Sequence, residues 1–204
     1  VVAERHPGGA ALVSWGLGLL DLAAGRFDAA LDQLEEVCHG AAGRDLPIRA
    51  AADLVEAAVR AGRPDRAQGP AAELSRWAEH AATPTAQALA LRCRALLNDD
   101  GAEDLLAGAL ERCASPYDRA RTQLLGGEWL RRRRRRTEAG HQLLAATEAF
   151  EKPGAELWAQ RARPEPGRLT TVRGRCRAWP AGAWCRATRS GRSRRQSPTS
   201  RRRS

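Results

Sequence analysis

The sequence predicts an all-α protein of about four stacked helical hairpins, followed by a disordered basic tail. Leu and Ala dominate the 204 residues, whereas β-branched residues are scarce and only 4% of the residues are aromatic. This composition favours helices over strands. In addition, a turn-like pattern recurs along the chain, and an apolar segment of helical period lies on each side of every recurrence.

The turn-like pattern occurs four times, at intervals of 36 or 37 residues. It reads GRFDAAL from Gly25, GRPDRAQ from Gly62, NDDGAEDLL from Asn98 and RRRTEAGHQL from Arg134. The segments before these turns are WGLGLLDLAA, AADLVEAAVRA, ALALRCRALL and RTQLLGGEWLRR. The segments after them are DAALDQLEEV, GPAAELSRWAEHA, EDLLAGALERC and EAGHQLLAATEAF. A helix, a tight turn and a second helix in each unit describe this pattern most simply.

The apolar residues of the first unit fall on two helical stripes. The stripe of the first helix consists of Leu12, Trp15, Leu19 and Leu22. The stripe of the second helix consists of Phe27, Ala30, Leu31, Leu34 and Val37. Residues that recur at this spacing form one face of a helix, so both stripes are expected to pack in the core.

Prolines indicate where the later helices begin, because Pro is tolerated in the first turn of a helix. The candidate starts are at Pro47, Pro70, Pro84 and Pro116. Ser115 precedes the last of these prolines and is a suitable N-cap residue.

The unit resembles the tetratricopeptide repeat. The Leu, Gly, Gly, aromatic and Ala positions of that repeat are taken here by Leu17, Gly18, Gly25, Phe27 and Ala30. Ala67 and Ala139 repeat the small residue that lets paired helices approach closely, while Pro64 replaces the aromatic residue and Arg134 replaces the turn glycine. The resemblance implies an αα-hairpin solenoid over residues 10–163, with a concave face that binds a protein or a small effector.

Six consecutive arginines, Arg131–Arg136, stand out in the last unit. Six successive helical residues turn through about 600°, so a continuous helix would force at least one arginine inward. We therefore expect the turn between the two helices at Arg134–Arg136. Two interpretations remain open: a solvated turn, or a weak, sequence-independent contact of Arg131, Arg132 and Arg133 with the phosphates of a nucleic acid.

The segment SPYDRARTQLLGGEWLRRRRRRTEAGHQLLAATEAFEKPGAELWAQRAR closely resembles the last repeats of the large ATP-binding LuxR-type transcriptional regulators of actinobacteria. The resemblance covers roughly residues 10–163, and its distinctive part is 116–163. It implies a parent protein in which a P-loop ATPase comes first and a helix-turn-helix DNA-binding domain comes last. The chain contains no Met and begins with VVAERHPGG, so we expect a fragment in which residues 1–9 are the edge.

Neither flanking domain is found in the sequence. There is no G-x-x-x-x-G-K-[ST] motif, and Lys152 is the only lysine, so we expect this chain alone neither to bind nor to hydrolyse ATP. Residues 164–204 have several prolines, few aliphatic residues and no helical period, which is typical of disorder. We interpret this tail as out-of-frame translation of GC-rich DNA; the alternative is an evolved basic arm.

The net charge of +10 is concentrated toward the C terminus. Residues 1–130 contain 13 Arg and 19 acidic residues, whereas residues 153–204 contain 14 Arg and 2 Glu. A basic nucleic-acid-binding face is therefore not expected in the first 130 residues. The tail is expected to bind nucleic acid only weakly and non-specifically, through Arg194, Arg195, Arg201, Arg202 and Arg203.

Catalytic, cofactor and metal motifs are not recognisable, so we expect no enzyme activity and no cofactor. The four histidines are scattered and are interpreted as surface or helix-end residues: His6, His39, His80 and His141. The five cysteines show no ligand or disulfide spacing and are expected to be buried free thiols in a reducing compartment: Cys38, Cys93, Cys113, Cys176 and Cys185. Packing in the core or between repeats is the expected role of the tryptophans in the helices, and ligand stacking is the alternative: Trp15, Trp77, Trp129 and Trp158.

The sequence thus predicts a cytoplasmic regulatory or scaffold segment of a LuxR-type ATP-dependent transcriptional regulator. Its partner would be a protein or a small effector on the concave face of the repeats. Nucleic acid would be bound through the missing domain, or non-specifically through the tail, and no membrane would be involved. The alternative is a free-standing tetratricopeptide-like interaction module unrelated to transcription.

Overall fold

The computed structural model of the chain describes residues 7–40 and 45–164, and within them every regular element is helical. The helices are α1 (Pro7–Ala23), α2 (Phe27–His39), α3 (Asp45–Arg60), α4 (Gln68–Ala81), α5 (Pro84–Leu97), α6 (Ala102–Arg112), α7 (Pro116–Arg132), α8 (Arg136–Glu151) and α9 (Glu156–Ala162). A short 3₁₀ turn, Pro64–Ala67, leads into α4. The predicted all-α class is confirmed for these residues, and the expectations for the tail lie outside them.

Helices that follow one another in the chain pack against one another, and four hairpins result: α1–α2, α3–α4, α5–α6 and α7–α8. In the first hairpin Gly18 lies against Leu34, and in the fourth Gly127 lies against Leu143. A Cβ atom on either glycine would come within 2.8 Å of the leucine side chain, so only glycine permits this approach. Each contact joins positions on the two sides of its turn, so the paired helices are antiparallel.

The turns of the first, second and fourth hairpins share one backbone geometry. Gly25, Gly62 and Arg134 have φ angles of 76°, 73° and 63°. The amide of the next residue donates to the carbonyl five residues earlier in each case, as in a Schellman motif: Arg26 to Asp21, Arg63 to Ala58, and Arg135 to Leu130. Arg134 therefore takes the backbone position of the missing glycine.

The third turn differs from the expectation based on Asn98. Asn98 has an extended conformation with φ −125°, and the residue with positive φ is Gly101, three residues later. We call Gly25, Gly62, Gly101 and Arg134 the turn residues of the four hairpins. Pro84 and Pro116 begin α5 and α7 as predicted, and the Thr83 and Ser115 hydroxyls cap them. Pro47 and Pro70 lie in the first turns of α3 and α4, each two residues after the helix begins.

The core consists mainly of leucine and alanine, and it includes the predicted stripe of α2. Ala30, Leu31, Leu34 and Val37 are buried. The predicted stripe of α1 is wrong at one position, because Leu12 is exposed while Leu22 is buried. Trp77 is likewise exposed rather than in the core, whereas Trp129 and Trp158 are buried.

Candidate functional site

A cluster of charged side chains is buried between the odd-numbered helices, and it is the strongest candidate for a functional site. We call it the charge cluster; its members are Asp53, Glu56 and Arg60 of α3, Arg92 of α5, Arg121 and Glu128 of α7, and Arg161 of α9. Glu56 and Glu128 are equivalent, because each precedes the turn residue of its hairpin by six positions. These two members of the charge cluster therefore occupy the same position of α3 and α7.

Arg121 occupies the centre of the charge cluster and is 1% exposed. Its Nη2 donates to Asp53 Oδ1 at 3.0 Å and to Glu56 Oε2 at 2.7 Å, and its Nη1 donates to the Tyr117 hydroxyl at 3.1 Å. The guanidinium also lies 3.9 Å from the centre of the Trp158 ring, which is a cation–π contact. The arginine of one helix thereby contacts α3 and α9 together.

Arg161 connects the last helix with the first half of the fold. Its Nη2 donates to Glu56 Oε1 at 2.8 Å, and its Nε donates to Glu128 Oε1 at 3.1 Å. Its Nη1 donates to the main-chain carbonyl of Leu22 at the end of α1, at 3.1 Å. Because a planar guanidinium can serve several acceptors at once, one side chain contacts α1, α3 and α7.

The carboxylate of Glu56 is fully buried and accepts from both Arg121 and Arg161. Burial by itself would raise the pKa of Glu56, but the positive charges of Arg121, Arg161 and Arg60 outweigh it and hold the pKa well below its ordinary value. Glu56 is therefore ionised at neutral pH. A carboxylate held in this way serves as a fixed charge rather than as a general acid.

Arg60 pairs with Glu128, and its side chain is one-fifth exposed. Burial lowers the pKa of Arg60 to about 10, and the nearby positive charges of Arg161, Arg132 and Arg131 lower it as well. The negative charge of Glu56 acts in the opposite direction and raises this pKa. Arg60 stays charged at neutral pH. Its guanidinium is also repelled by the positive charges of Arg131 and Arg132, the first two arginines of the six-arginine run.

Arg92 is the least well paired member of the charge cluster. Its nearest carboxylate oxygens are Asp118 Oδ1 at 3.9 Å and Asp53 Oδ1 at 4.0 Å, and its Nε and Nη1 atoms have no hydrogen-bond partner among the described residues. The charge cluster contains four arginines and three carboxylates, so Asp118 at its edge is needed for neutrality. Arg92 is thus the position at which positive charge is least compensated.

Aromatic rings enclose the charge cluster on the side of α8 and α9. Trp158 stacks on Phe150 at a centroid distance of 5.9 Å, and Tyr117 meets both rings edge-on at 6.0 and 6.4 Å. On the side of α1, the indole of Trp15 donates to Asp53 Oδ2 at 3.1 Å. Of these rings Phe150 and Trp158 are buried, and the low polarity that they create beside the ion pairs strengthens the electrostatic attraction.

The six-arginine run forms the turn of the fourth hairpin, one residue earlier than predicted. α7 ends at Arg132, Arg133–Arg135 form the turn, and α8 begins at Arg136. Arg131 and Arg132 in the last turn of α7 and Arg133 in the turn are exposed. The predicted tail residues lie outside the described residues: Arg194, Arg195, Arg201, Arg202 and Arg203.

Two arginines of the run, Arg133 and Arg135, form ion pairs with carboxylates of the neighbouring helices and turns. Arg133 pairs with Asp99 at 2.5 Å and lies over the Trp129 ring, whose indole donates to the same carboxylate. Arg135 donates to Glu138 at 2.5 and 2.6 Å and to Glu103 of α6 at 2.6 Å. These hydrogen bonds raise the pKa of Arg135.

The cysteines in the described part of the chain are thiols of low reactivity. Cys38, Cys93 and Cys113 are free thiols, and burial raises the pKa of Cys38 and of Cys93 to about 12. Since the thiolate is the reactive form, these thiols are poor nucleophiles at neutral pH. Cys176 and Cys185 lie outside the described residues. Within the described residues, no group of three or more His, Cys, Asp or Glu side chains is arranged to hold a metal ion.

Sequence reasoning missed the charge cluster, although one signal for it is visible. Asp53, Glu56 and Arg60 follow one another at helical spacing within the apolar segment AADLVEAAVR. Charges at such spacing either face solvent or pair inside the fold. The choice between these outcomes depends on Arg121 and Arg161, which are more than 60 residues away in the chain.

A comparison of the chain with protein-family models, with curated proteins and with solved structures gives no match. None of the helices among the described residues is both long enough and apolar enough to cross a membrane.

Proposed function

We propose that this chain is a helical scaffold segment of a LuxR-type ATP-dependent transcriptional regulator, in the cytoplasm. One observation carries the proposal: the segment 116–163, which resembles that family, supplies three side chains that form ion pairs with α3 in the charge cluster. They are Arg121, Glu128 and Arg161, and all of them pair with α3. The distinctive sequence therefore also supplies the buried ion pairs that link α7 and α9 to α3.

A unit of this kind suits the transmission of a signal between an ATPase and a DNA-binding domain. Buried ion pairs contribute little net stability, but they require one geometry, because a displaced partner leaves an unpaired charge in the interior. A shift of α9 against α3 would therefore leave buried charges unpaired and would cost several kcal/mol, about 3–5 for each broken pair. We propose that a protein or small effector acts on this segment by favouring one position of α9.

The flanking nucleotide sequence tests the assignment directly. We expect a P-loop motif upstream in the same reading frame, and a helix-turn-helix pattern downstream in this or another frame. An upstream reading frame without any P-loop would contradict the regulator and would leave a free-standing interaction module.

A biochemical test uses the complete regulator. Arg161→Gln should leave its ATP hydrolysis intact and should abolish the dependence of its DNA binding on ATP. The control is Arg163→Gln, two residues away, whose side chain is half exposed and pairs only with exposed carboxylates. If Arg161→Gln and Arg163→Gln behave alike, the charge cluster has no part in the transmission.

We also propose that Arg131 and Arg132 make weak, sequence-independent contacts with nucleic-acid phosphates. The exposure of both side chains supports this. Replacing both with Gln should reduce the slope of log affinity against log salt by about 0.9 for each phosphate that is no longer neutralised. An unchanged salt dependence would show that the arginines of the run serve only the turn.

A further inference from the structure

Helix α1 carries an exposed row of aliphatic side chains. We call Leu12, Val13, Leu17 and Leu20 the apolar stripe; they are 48–63% exposed. They are four of the eight large apolar residues that are exposed in the described part of the chain. Val13, Leu17 and Leu20 share one face of the helix, because they are spaced at i, i+4 and i+7. An exposed patch of this kind indicates an interaction surface.

The surface around the apolar stripe carries no charge. From Gly8 to Leu20 the sequence contains only apolar residues, glycines and Ser14, and the first charged residue of the helix is Asp21, which pairs with Arg26. A partner recognised through ion pairs would find no matching charge here. Helices that lie on membrane surfaces carry Lys and Arg on their polar face, which α1 lacks. We therefore expect the covering surface to be apolar and uncharged as well.

Within this chain, the surface that best matches the apolar stripe is the stripe itself. The other four exposed large apolar residues are distributed over four helices: Trp77 of α4, Tyr117 of α7, Leu144 of α8 and Leu157 of α9. Among the described residues, therefore, α1 is the helix that presents a row of such side chains. A surface that is complementary to itself forms a closed two-fold dimer.

The spacing of the side chains suits a two-fold contact between antiparallel helices. If the axis passes between Gly16 and Leu17, each of these residues faces its equivalent in the second copy. Val13 then faces Leu20 of the second copy, because the two are equally far from the axis. A Cβ atom on Gly16 would have no neighbour within 4 Å, so this position is open, and its lack of a side chain lets two backbones approach closely. An antiparallel pair also keeps the two Asp21 carboxylates at opposite ends.

We propose that two copies of this chain associate through the apolar stripes of their α1 helices, as an antiparallel pair with a two-fold axis at Gly16 and Leu17. One helix pair buries less than the roughly 800 Å² per partner of a standard-size interface, so the dimer is weak and depends on concentration. This inference goes beyond the proposed regulator and does not depend on it.

Sedimentation velocity tests the association in the chain Val1–Ser204. Between about 1 μM and about 1 mM the wild type should show a monomer–dimer equilibrium. Leu17→Asp should weaken dimerisation at least tenfold, because two like charges would be buried opposite each other at the axis. Its circular dichroism should stay that of the wild type, since Leu17 is half exposed in the monomer. The control is Leu144→Asp on α8, also at an exposed leucine, which should leave the dissociation constant unchanged.

Disulfide cross-linking tests the geometry of the pair. In a background that carries Cys176→Ser and Cys185→Ser, Gly16→Cys should give a disulfide-linked dimer on mild oxidation, because the two introduced thiols face each other across the axis. The control is Gly69→Cys, at an exposed glycine of α4, which should stay monomeric under the same conditions.

Four results would overturn the inference. One is a wild type that stays monomeric throughout this concentration range, and another is a dimer that Leu17→Asp does not weaken. A third is equal cross-linking of Gly16→Cys and Gly69→Cys. The fourth is co-sedimentation of the monomer with phosphatidylcholine–phosphatidylglycerol vesicles that Leu17→Asp abolishes, because a membrane would then cover the apolar stripe.

Discussion

Arg134 has the left-handed backbone conformation that Gly25 and Gly62 have at the equivalent turns. A side chain in this conformation brings its Cβ atom too close to the main chain, at a cost of about 1–2 kcal/mol. Arg134 is exposed, and its side chain makes no hydrogen bond among the described residues that would offset the cost. The turn keeps its shape because the helices on both sides of it are held by their own packing.

Arg134→Gly should therefore stabilise the protein, by about 0.5–1 kcal/mol in urea unfolding. The control is Arg132→Gly, which removes the same side chain from the last turn of α7, where the backbone is helical. That variant should lose up to about 1 kcal/mol, because glycine disfavours helices. Equal effects of the two substitutions would mean that the lost positive charge, rather than the backbone, determines the result.

Glu56 is the residue on which the charge cluster depends most. Glu56→Gln should cost about 3 kcal/mol in unfolding free energy, because Arg121 and Arg161 would remain buried with less negative charge beside them. Glu73→Gln provides the control: Glu73 is exposed in α4, and the change should stay within about 0.5 kcal/mol. A loss below about 1 kcal/mol for Glu56→Gln would show that water reaches the charge cluster and replaces the missing charge.

The depressed pKa of Glu56 also predicts how stability depends on pH. Below about pH 4.3, the ordinary pKa of Glu, the unfolded chain takes up a proton at Glu56 while the folded protein does not. Stability from Glu56 is thus present above that pH and is lost as the pH falls toward the folded pKa. Urea midpoints measured from about pH 7 to about pH 3 should fall more steeply for the wild type than for Glu56→Gln. Parallel curves would contradict the prediction.

At the scale of elements, the turn between α7 and α8 is attached to the neighbouring hairpin through Arg135. Its guanidinium joins Glu138, in the first turn of α8, to Glu103, in the first turn of α6. Both carboxylates also interact favourably with the N-terminal dipoles of their helices. The ion pair therefore connects the starts of two even-numbered helices.

Arg135→Gln should cost about 0.5–1 kcal/mol at low salt and less in about 1 M NaCl, because the pair is partly exposed and therefore screened. Arg136→Gln is the matched control: Arg136 is exposed and has no ion pair among the described residues, so its loss should be near zero. An Arg135→Gln effect that does not change with salt would point to packing of the side chain rather than to its charge.

At the scale of the whole molecule, α9 holds the beginning and the end of the described helices together. Arg161 donates to the carbonyl of Leu22, 139 residues earlier, and it pairs with carboxylates of α3 and α7. The helix itself has only seven residues, too few to be stable alone in water. Its position therefore depends on the charge cluster and on the burial of Trp158.

Arg161→Gln should destabilise both α9 and the turn after α1, because Arg161 contacts the end of α1 as well as α3. We expect a loss of about 3 kcal/mol, with faster amide hydrogen exchange in α9 and at residues 24–26 but not in α5 and α6. Arg163→Gln should leave the exchange pattern unchanged. Faster exchange confined to α9 would mean that the contact with α1 does not stabilise the first turn.

Local features of the sequence were enough to predict the helices and their hairpins. Helical period, turn glycines and helix-starting prolines act within a few residues, so the four hairpins and the turn inside the arginine run were predicted to within a few residues. In the third hairpin the turn was predicted at Asn98, but the residue with positive φ is Gly101, three positions later. Local patterns therefore locate a turn to within a few residues but do not fix its geometry. The exposure of Leu12 and Trp77 was predicted wrongly, because a helical stripe does not reveal whether another element covers it.

Which charges pair in the interior depends on tertiary packing. Asp53 and Arg121 are 68 residues apart, and Glu56 and Arg161 are 105 residues apart. No local pattern distinguishes a glutamate that meets two arginines from one that faces water, since the difference lies in which distant helix packs beside it. Sequence patterns alone thus established an all-α chain of hairpins. That these hairpins enclose a charge cluster follows only from the packing of α3, α7 and α9.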